Sequence, residues 1–409
     1  MNWDRAKLGD ICKSISDGDH QAPPKSETGI PFVTISNITN TNRFDFTNTM
    51  HVPLDYFERL DDKRKPRMGD ILYSVVGSFG IPVLITEEEK FVFQRHIAIL
   101  RPDEKEVVPA YLYYTMLSRD FYMKADAVAL GAAQRTISLT ALREMEIQLP
   151  DYDIQKKIVK ILRPFDDLIE NNRKQIKLLE EATQRLYKEW FVDLRFPGYE
   201  NCKIVDGVPE GWKIKSILEN EIFVFVKSNV LPFNGEKKYY ATADIAGTMI
   251  ATDGESITFM NKPSRAAIQP VVNSVWFARM SNTYKILNCF GKSSHLANDA
   301  IISSGFAGFT SLDGCYGFVY ATIASKKFDE EKNRYATGAT QVSLTNEGLK
   351  KMEVLIPAID IAKQYSKIVE PFMMKMELLK KDCKLLSQAR NRLLPKLMSG
   401  EIEVLGEKS

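Results

Sequence analysis

The sequence is poor in the residues that most often carry chemistry or cross-links. Its 409 residues include only five cysteines and four histidines. Cys12, Cys202, Cys289, Cys315 and Cys383 are scattered, with no C-x-x-C pair. That pattern argues against a disulfide framework or structural zinc, and favours a reducing, cytoplasmic setting. No two histidines stand at helical spacing, so a hydrolytic zinc site is not expected. Charge of one sign is also missing: 55 Lys+Arg against 53 Asp+Glu leave +2, which excludes gripping nucleic acid by bulk charge. Apolar runs fall far short of the ~20 residues of a membrane span. The opening MNWDRAKLGD lacks the basic-then-apolar order of a signal peptide. There is no G-x-x-x-x-G-K-[ST] loop for ATP. GSFG (Gly77 to Gly80) lacks the context of a methyltransferase cofactor loop, and Asp61-Asp62 and Glu87-Glu88-Glu89 lie in charged surface runs. The chain is therefore expected to be non-catalytic and outside the membrane.

What is present is an internal repeat. GAAQRTISLTALREMEIQLP (131–150) aligns without a gap on GATQVSLTNEGLKKMEVLIP (338–357), an offset of 207 residues. The register continues through Asp153/Asp360, Lys156/Lys363, Pro164-Phe165/Pro371-Phe372, Leu178-Leu179/Leu385-Leu386 and Arg185-Leu186/Arg392-Leu393. A period this long is a two-fold duplication, not a solenoid. Upstream of each copy lie roughly 130 residues of little mutual similarity, opened by Trp3 in the first half and by PEGW (Pro209 to Trp212) in the second.

Within each repeat, Pro164 and Pro371 suit the first position of a helix, with Asp166 and Asp167 in the favourable first turn. An apolar stripe at 3/4 spacing follows: Phe165, Ile169, Ile176, Leu179 and Leu186, then Phe372, Met376, Leu379, Leu386 and Leu393. Two matching stripes predict an intramolecular antiparallel coiled coil, with Asn172, Thr183 and Arg390 setting register. From Phe165 to Leu194 the rod is about 45 Å long. The variable segments alternate as strands around Phe32 to Ile35, MGDILYSVVG (68–77) and FVFQRHIAILRP (91–102), with a helix over Tyr111 to Ser118. The fold expected is α+β: two mixed α/β domains joined by two long helices, with a pseudo-two-fold internal repeat.

The ordered set DGDHQAPP, GIPF, MGDILYSVVG, FQRHIAILRP, the repeated segments and FDDLIENNRKQIKLLEEATQRLYKEWFVDLRFPG resembles the specificity subunit of type I restriction–modification systems. The resemblance covers nearly the whole chain. It implies target-recognition domains over 1–130 and 209–337, with repeated regions carrying spacer helices over 131–208 and 338–409. It implies a non-catalytic, cytoplasmic subunit that reads an asymmetric bipartite site on double-stranded DNA, as part of phage defence. Two methyltransferase subunits would dock on it and bring S-adenosylmethionine. Motor-nuclease subunits, where present, would use ATP and magnesium, so that the whole complex is an adenine-specific methyltransferase and ATP-dependent endonuclease. The competing reading is a coiled-coil scaffold displaying two protein- or glycan-binding domains.

Base and phosphate contacts are expected from amide, basic and hydroxyl side chains in polar segments. In the first domain these are His20, Gln21, Lys25, Asn37, Asn40, Asn42 and Arg43. In the second they are Lys227, Asn229, Arg265, Arg279, Asn282, Lys292, Ser294 and His295. For each, a solvated loop is the alternative. Gln134, Arg135 and Gln341 sit at the junction with the repeat, where a phosphate contact and a domain-to-helix hydrogen bond are equally good readings. KRKPR (63–67) is better explained as a solvated loop beside Asp61 and Asp62 than as a phosphate clamp. DGD (17–19) reads as an Asx-capped turn rather than a metal site, and Tyr239, Tyr240 and Trp276 as core. Residues 1–130 hold 16 basic against 19 acidic residues and 209–337 hold 14 against 12, so methyltransferase partners are expected to supply much of the phosphate grip.

Overall fold

The computed structural model describes residues 3–20, 22–39, 42–46, 49–77, 79–131, 135–292, 294–339 and 342–404. The chain forms two compact units. Unit 1 is Met1–Leu168 with Leu385–Ser409, and unit 2 is Ile169–Lys384.

Unit 1 is built on a four-stranded antiparallel sheet. Its strands are β1 (Cys12–Asp17), β2 (Ile71–Ser74), β3 (Pro82–Leu84) and β4 (Ile97–Pro102), in the order β1-β4-β2-β3. Alternation along these strands feeds two cores. Ile71, Tyr73, Ala98 and Leu100 face the helix Pro109–Leu117, while Leu72, Ile97 and Ile99 pack with Val33, Phe91 and Phe93. With both faces covered, all four residues of β2, ILYS, are buried. A smaller sheet puts Ile30–Val33 antiparallel to Met50–Val52 and parallel to Val92–Phe93. A third pairing joins Asp4–Lys7 to Glu146–Leu149.

Unit 2 repeats this plan. Strands β5 (Phe223–Phe225), β6 (Ser274–Ala278), β7 (Ile286–Cys289) and β8 (Phe306–Ser311) run antiparallel in the order β5-β8-β6-β7. Val275 and Phe277 face one core, Trp276 and Ala278 the other. Lys237–Tyr240 lies antiparallel to Glu255–Ile257 and parallel to Ala300–Ser303, with Ala266–Ile268 as an added edge. Lys213–Ser216 pairs with Glu353–Ile356 as the counterpart of the third pairing. The two segments with little sequence similarity therefore share one topology.

Two expectations are corrected. The prolines do not start the long helices: α1 is one helix over Tyr152–Tyr187 with Pro164 inside, and α2 one over Ile359–Met398 with Pro371 inside. Each proline forfeits one backbone hydrogen bond. The chain before and after Pro164 buries Ile158, Leu162 and Ile169, and around Pro371 it buries Val369 and Met373, so continuity wins. Likewise FVFQRHIAILRP is not one strand. A tight turn, with Ile97 N–H donating to the Gln94 carbonyl (3.0 Å), splits it into Val92–Phe93 and β4, which belong to different sheets.

Each unit contains a segment of both long helices, side by side and antiparallel. In unit 1, Ile158 and Leu162 share a core with Leu394 and Leu397, and Arg390 pairs with Asp166, which also accepts from Tyr114 (2.6 Å). In unit 2, Tyr365 donates to the Thr183 carbonyl (2.8 Å), and the Cys383 thiol reaches the Ile169 carbonyl (3.7 Å). Of the expected apolar stripe, Ile169, Ile176, Met376 and Leu379 are buried, whereas Phe165, Leu179, Leu186, Phe372, Leu386 and Leu393 are half-buried. The more deeply covered neighbours are Met373 and Leu394, one residue later than Phe372 and Leu393.

Candidate nucleic-acid interface

The polar end of β1 is a built network. Asp17 receives the His20 ring, Nε2 to Oδ2 at 2.7 Å. Arg64 lies between the two acids, 3.7 Å from Asp17 and 3.9 Å from Asp19. Its Nε is buried without a partner among the described residues. Asp19 also accepts from the Tyr56 hydroxyl. Burial, with the Asp19 carboxylate adding to it, pushes that phenol's pKa up to about 12. Gly18 passes so close to the neighbouring chain that an added Cβ would sit 2.0 Å from the Phe93 carbonyl oxygen. DGD is thus an ion-paired corner rather than a simple capped turn.

The KRKPR loop supplies Arg64 to this corner. Its other cations are held locally: Lys63 by Asp61 (3.2 Å), Arg67 by Asp62, and Lys65 by the Glu58 carbonyl (2.8 Å). The buried Arg101–Asp70 pair (2.9 Å) ties the loop down through a hydrogen bond to the Lys65 carbonyl (2.8 Å). The loop therefore serves the fold, and Arg64 is the residue that sequence reasoning passed over. Nothing in its spacing from Asp17 signals the contact.

The remaining expected contacts divide by what the fold already asks of them. Asn37 is consumed locally: its carbonyl takes Thr34 N–H (2.9 Å) and its amide donates to Asp45 O (3.0 Å), closing the turn Ile35–Asn37. Asn42 takes a left-handed φ of 60° and donates to the Pro82 carbonyl (2.9 Å). Arg43 lies half-buried in the short strand Arg43–Phe44. Arg135 binds Asp126 (2.8 Å) and the Ala129 carbonyl (3.3 Å), with its guanidinium 5.8 Å from the Phe79 ring centre. Gln21, Asn40, Gln134 and Gln341 lie outside the described residues.

In unit 2, Arg279 is a clamp rather than a free reader. It donates to the Leu344 carbonyl (3.0 Å), the Phe306 carbonyl (3.4 Å) and Asn346 Oδ1 (2.9 Å), and burial lowers its pKa. Ser294 is 5% exposed, and the His295 Nε2 is buried without a partner among the described residues. Burial, aided by nearby Lys384, brings the His295 pKa down to about 4. Asn282 is exposed at a φ of 54°, its N–H donating to Asn333 (2.9 Å). Lys25, Lys227, Asn229, Arg265 and Lys292 stand exposed on loops, and the His20 side chain is 54% exposed. Arg95 joins them. It is exposed in the turn beside Gln94, which bridges to Asp19, and it was hidden in a run read as one strand. Among the described residues no cluster of His, Cys, Asp and Glu could hold a metal ion, and no helix is long and apolar enough to cross a membrane.

Comparison with known proteins gives a consistent family. Residues 1–181 match the family model described as type I restriction modification DNA specificity domain. The HindI type I restriction enzyme specificity subunit of Haemophilus influenzae is 23% identical, with 98% of this chain and 100% of that protein covered. The MjaIX specificity subunit of Methanocaldococcus jannaschii is 26% identical, covering 73% of this chain and 70% of its own. The fold is similar to the crystal structure of the type I S subunit from M. genitalium. That match has a TM-score of 0.52 and 17% identity over 97% of this chain and 96% of that one.

Proposed function

We propose that this chain is a specificity subunit of a type I restriction–modification system, as its relatives are described, and that it reads an asymmetric bipartite DNA sequence and holds the subunits that modify it. Specificity subunits are the non-catalytic members of these systems, and they assemble with other subunits on DNA. The observation that carries the reading is one reader architecture built twice with different exposed residues. His20, Lys25 and Arg95 stand on loops of unit 1; Lys227, Asn229, Arg265 and Lys292 stand on loops of unit 2. Equal scaffolds with unequal tips support two half-sites of different sequence.

The recognition domains in this reading are residues 1–130 and 209–337, and the repeats carry the docking surface for two methyltransferase subunits. Arg279 and Arg135 position the loops that read, while the exposed amides and cations touch bases and phosphates. Methyl transfer to adenine from S-adenosylmethionine belongs to the methyltransferase partners, and ATP- and magnesium-dependent cleavage to motor-nuclease partners. The setting is the cytoplasm. Genome-wide mapping of methylated adenines in a host carrying this chain with its methyltransferase tests the reading. The expected result is one interrupted, non-palindromic motif. Methylation without sequence preference, in a complex of intact stoichiometry, overturns it.

A further inference from the structure

His20 is an exposed group whose hydrogen-bonding character the fold sets in advance. Its Nε2 lies 2.7 Å from Asp17 Oδ2, and a carboxylate there requires Nε2 to be the N–H donor. The neutral ring then keeps its lone pair on Nδ1. Asp17 is held in turn by Arg64, whose other acid, Asp19, accepts from Tyr56. The Asp17 side chain is 20% exposed and Arg64 28%, whereas His20 is 54% exposed. The ring is thus the most exposed of these three side chains. The segment that follows is stiffened by Pro23-Pro24 and leads to exposed Lys25.

We propose that His20 is a specificity-determining residue of the first half-site. Its Nδ1 accepts a hydrogen bond from the exocyclic amino group of a base, adenine N6 or cytosine N4, in the major groove. Asp17 is a positioning residue that selects this tautomer. An acceptor at this point favours adenine or cytosine, whose groove edges carry an amino donor, over guanine or thymine, which present oxygen there. The inference rests on the DNA-reading function proposed above and adds the chemistry of one contact.

The test uses the chain assembled with its methyltransferase partner. Methylation rates are measured on a panel of duplexes in which each position of both half-sites is varied in turn. In His20→Ala, discrimination at one base pair of the half-site read by residues 1–130 is expected to fall by about ten-fold, the worth of one lost directional contact. The other half-site is expected to keep its profile. In Asp17→Asn the side-chain amide can donate to Nε2 and leave the ring proton on Nδ1. Preference at that same base pair should then move toward guanine or thymine, a shift that a merely structural role would not produce. Nitrogen-detected NMR of the imidazole in the wild-type chain reads the tautomer independently, and the proton is expected on Nε2. An unchanged base profile in the active His20→Ala complex, or a neutral ring protonated on Nδ1, overturns the proposal. Loss of all sequence preference in the wild-type complex would instead sink the DNA-reading function itself.

Discussion

Arg279 and His20 show why side-chain type alone does not name a reader. Both carry groups suited to base edges. Arg279 directs its N–H groups at the Leu344 and Phe306 carbonyls and Asn346, whereas His20 has one nitrogen on Asp17 and the ring in solvent. His295 is a third outcome, a histidine kept neutral by burial, with a folded pKa of about 4 against an ordinary 6.5. The sign follows directly. Above 6.5 the ring is neutral in both folded and unfolded chains and contributes nothing to pH dependence. Between 6.5 and about 4 only the unfolded chain takes up the proton, so stability falls as pH falls. The slope is about 1.4 kcal/mol per pH unit, levelling off below the folded value. Urea unfolding across this range should show the loss in the wild type and a flatter profile in His295→Gln. Equal slopes would contradict a neutral buried ring.

At the scale of elements, the two long helices show tertiary packing overriding a local signal. Pro164 is exposed on α1, yet its missing N–H lies inside the helix. A proline in a helix interior costs about 3 kcal/mol relative to alanine. Pro164→Ala should therefore stabilise unit 1 by about 1–3 kcal/mol, since it restores a hydrogen bond without disturbing Ile158, Leu162 or Ile169. A higher denaturation midpoint with unchanged helical signal is the expected result, and a lower midpoint would mean that the proline is needed for a bend. Of the polar residues expected to set helix register, Arg390 pairs with Asp166 across the helices in unit 1, whereas the Thr183 hydroxyl turns back to the Leu179 carbonyl of its own helix (2.8 Å) and only its backbone carbonyl meets Tyr365 in unit 2. Their partners were not readable, because Asp166 looked like a first-turn acid and Tyr365 lay ahead of the stripe counted from Phe372. The run Phe91 to Pro102 hides its turn for a related reason. Both of its strands are apolar, and only hydrogen bonding to different neighbours separates them.

At the scale of the whole molecule, duplication is the feature that organises both fold and function. The offset of 207 residues read from 131–150 and 338–357 extends into the variable halves, where Ile30–Val33 and Lys237–Tyr240 hold corresponding places in their sheets. Under the proposed function, replacing residues 209–337 with the equivalent segment of a similar specificity subunit should change one half of the methylated motif and leave the other intact. Sequencing of methylated sites reads this directly, and a change in both halves would contradict modular reading. The two variable segments differ in charge as well, with 16 basic against 19 acidic residues in 1–130 and 14 against 12 in 209–337. Specificity is accordingly expected to depend on a few directed contacts rather than on a basic surface. By itself the sequence determined the repeat, the α+β class, the helical stripes and the family resemblance, because these depend on periodicity and order along the chain. Only the tertiary structure decided that both variable segments share one topology, that each long helix runs through its proline, and which polar residues are committed to the fold. Those outcomes depend on partners distant in sequence. Arg64 meets Asp17 and Arg279 meets Leu344 only once the sheets have closed, and burial, not residue type, sets which groups remain exposed.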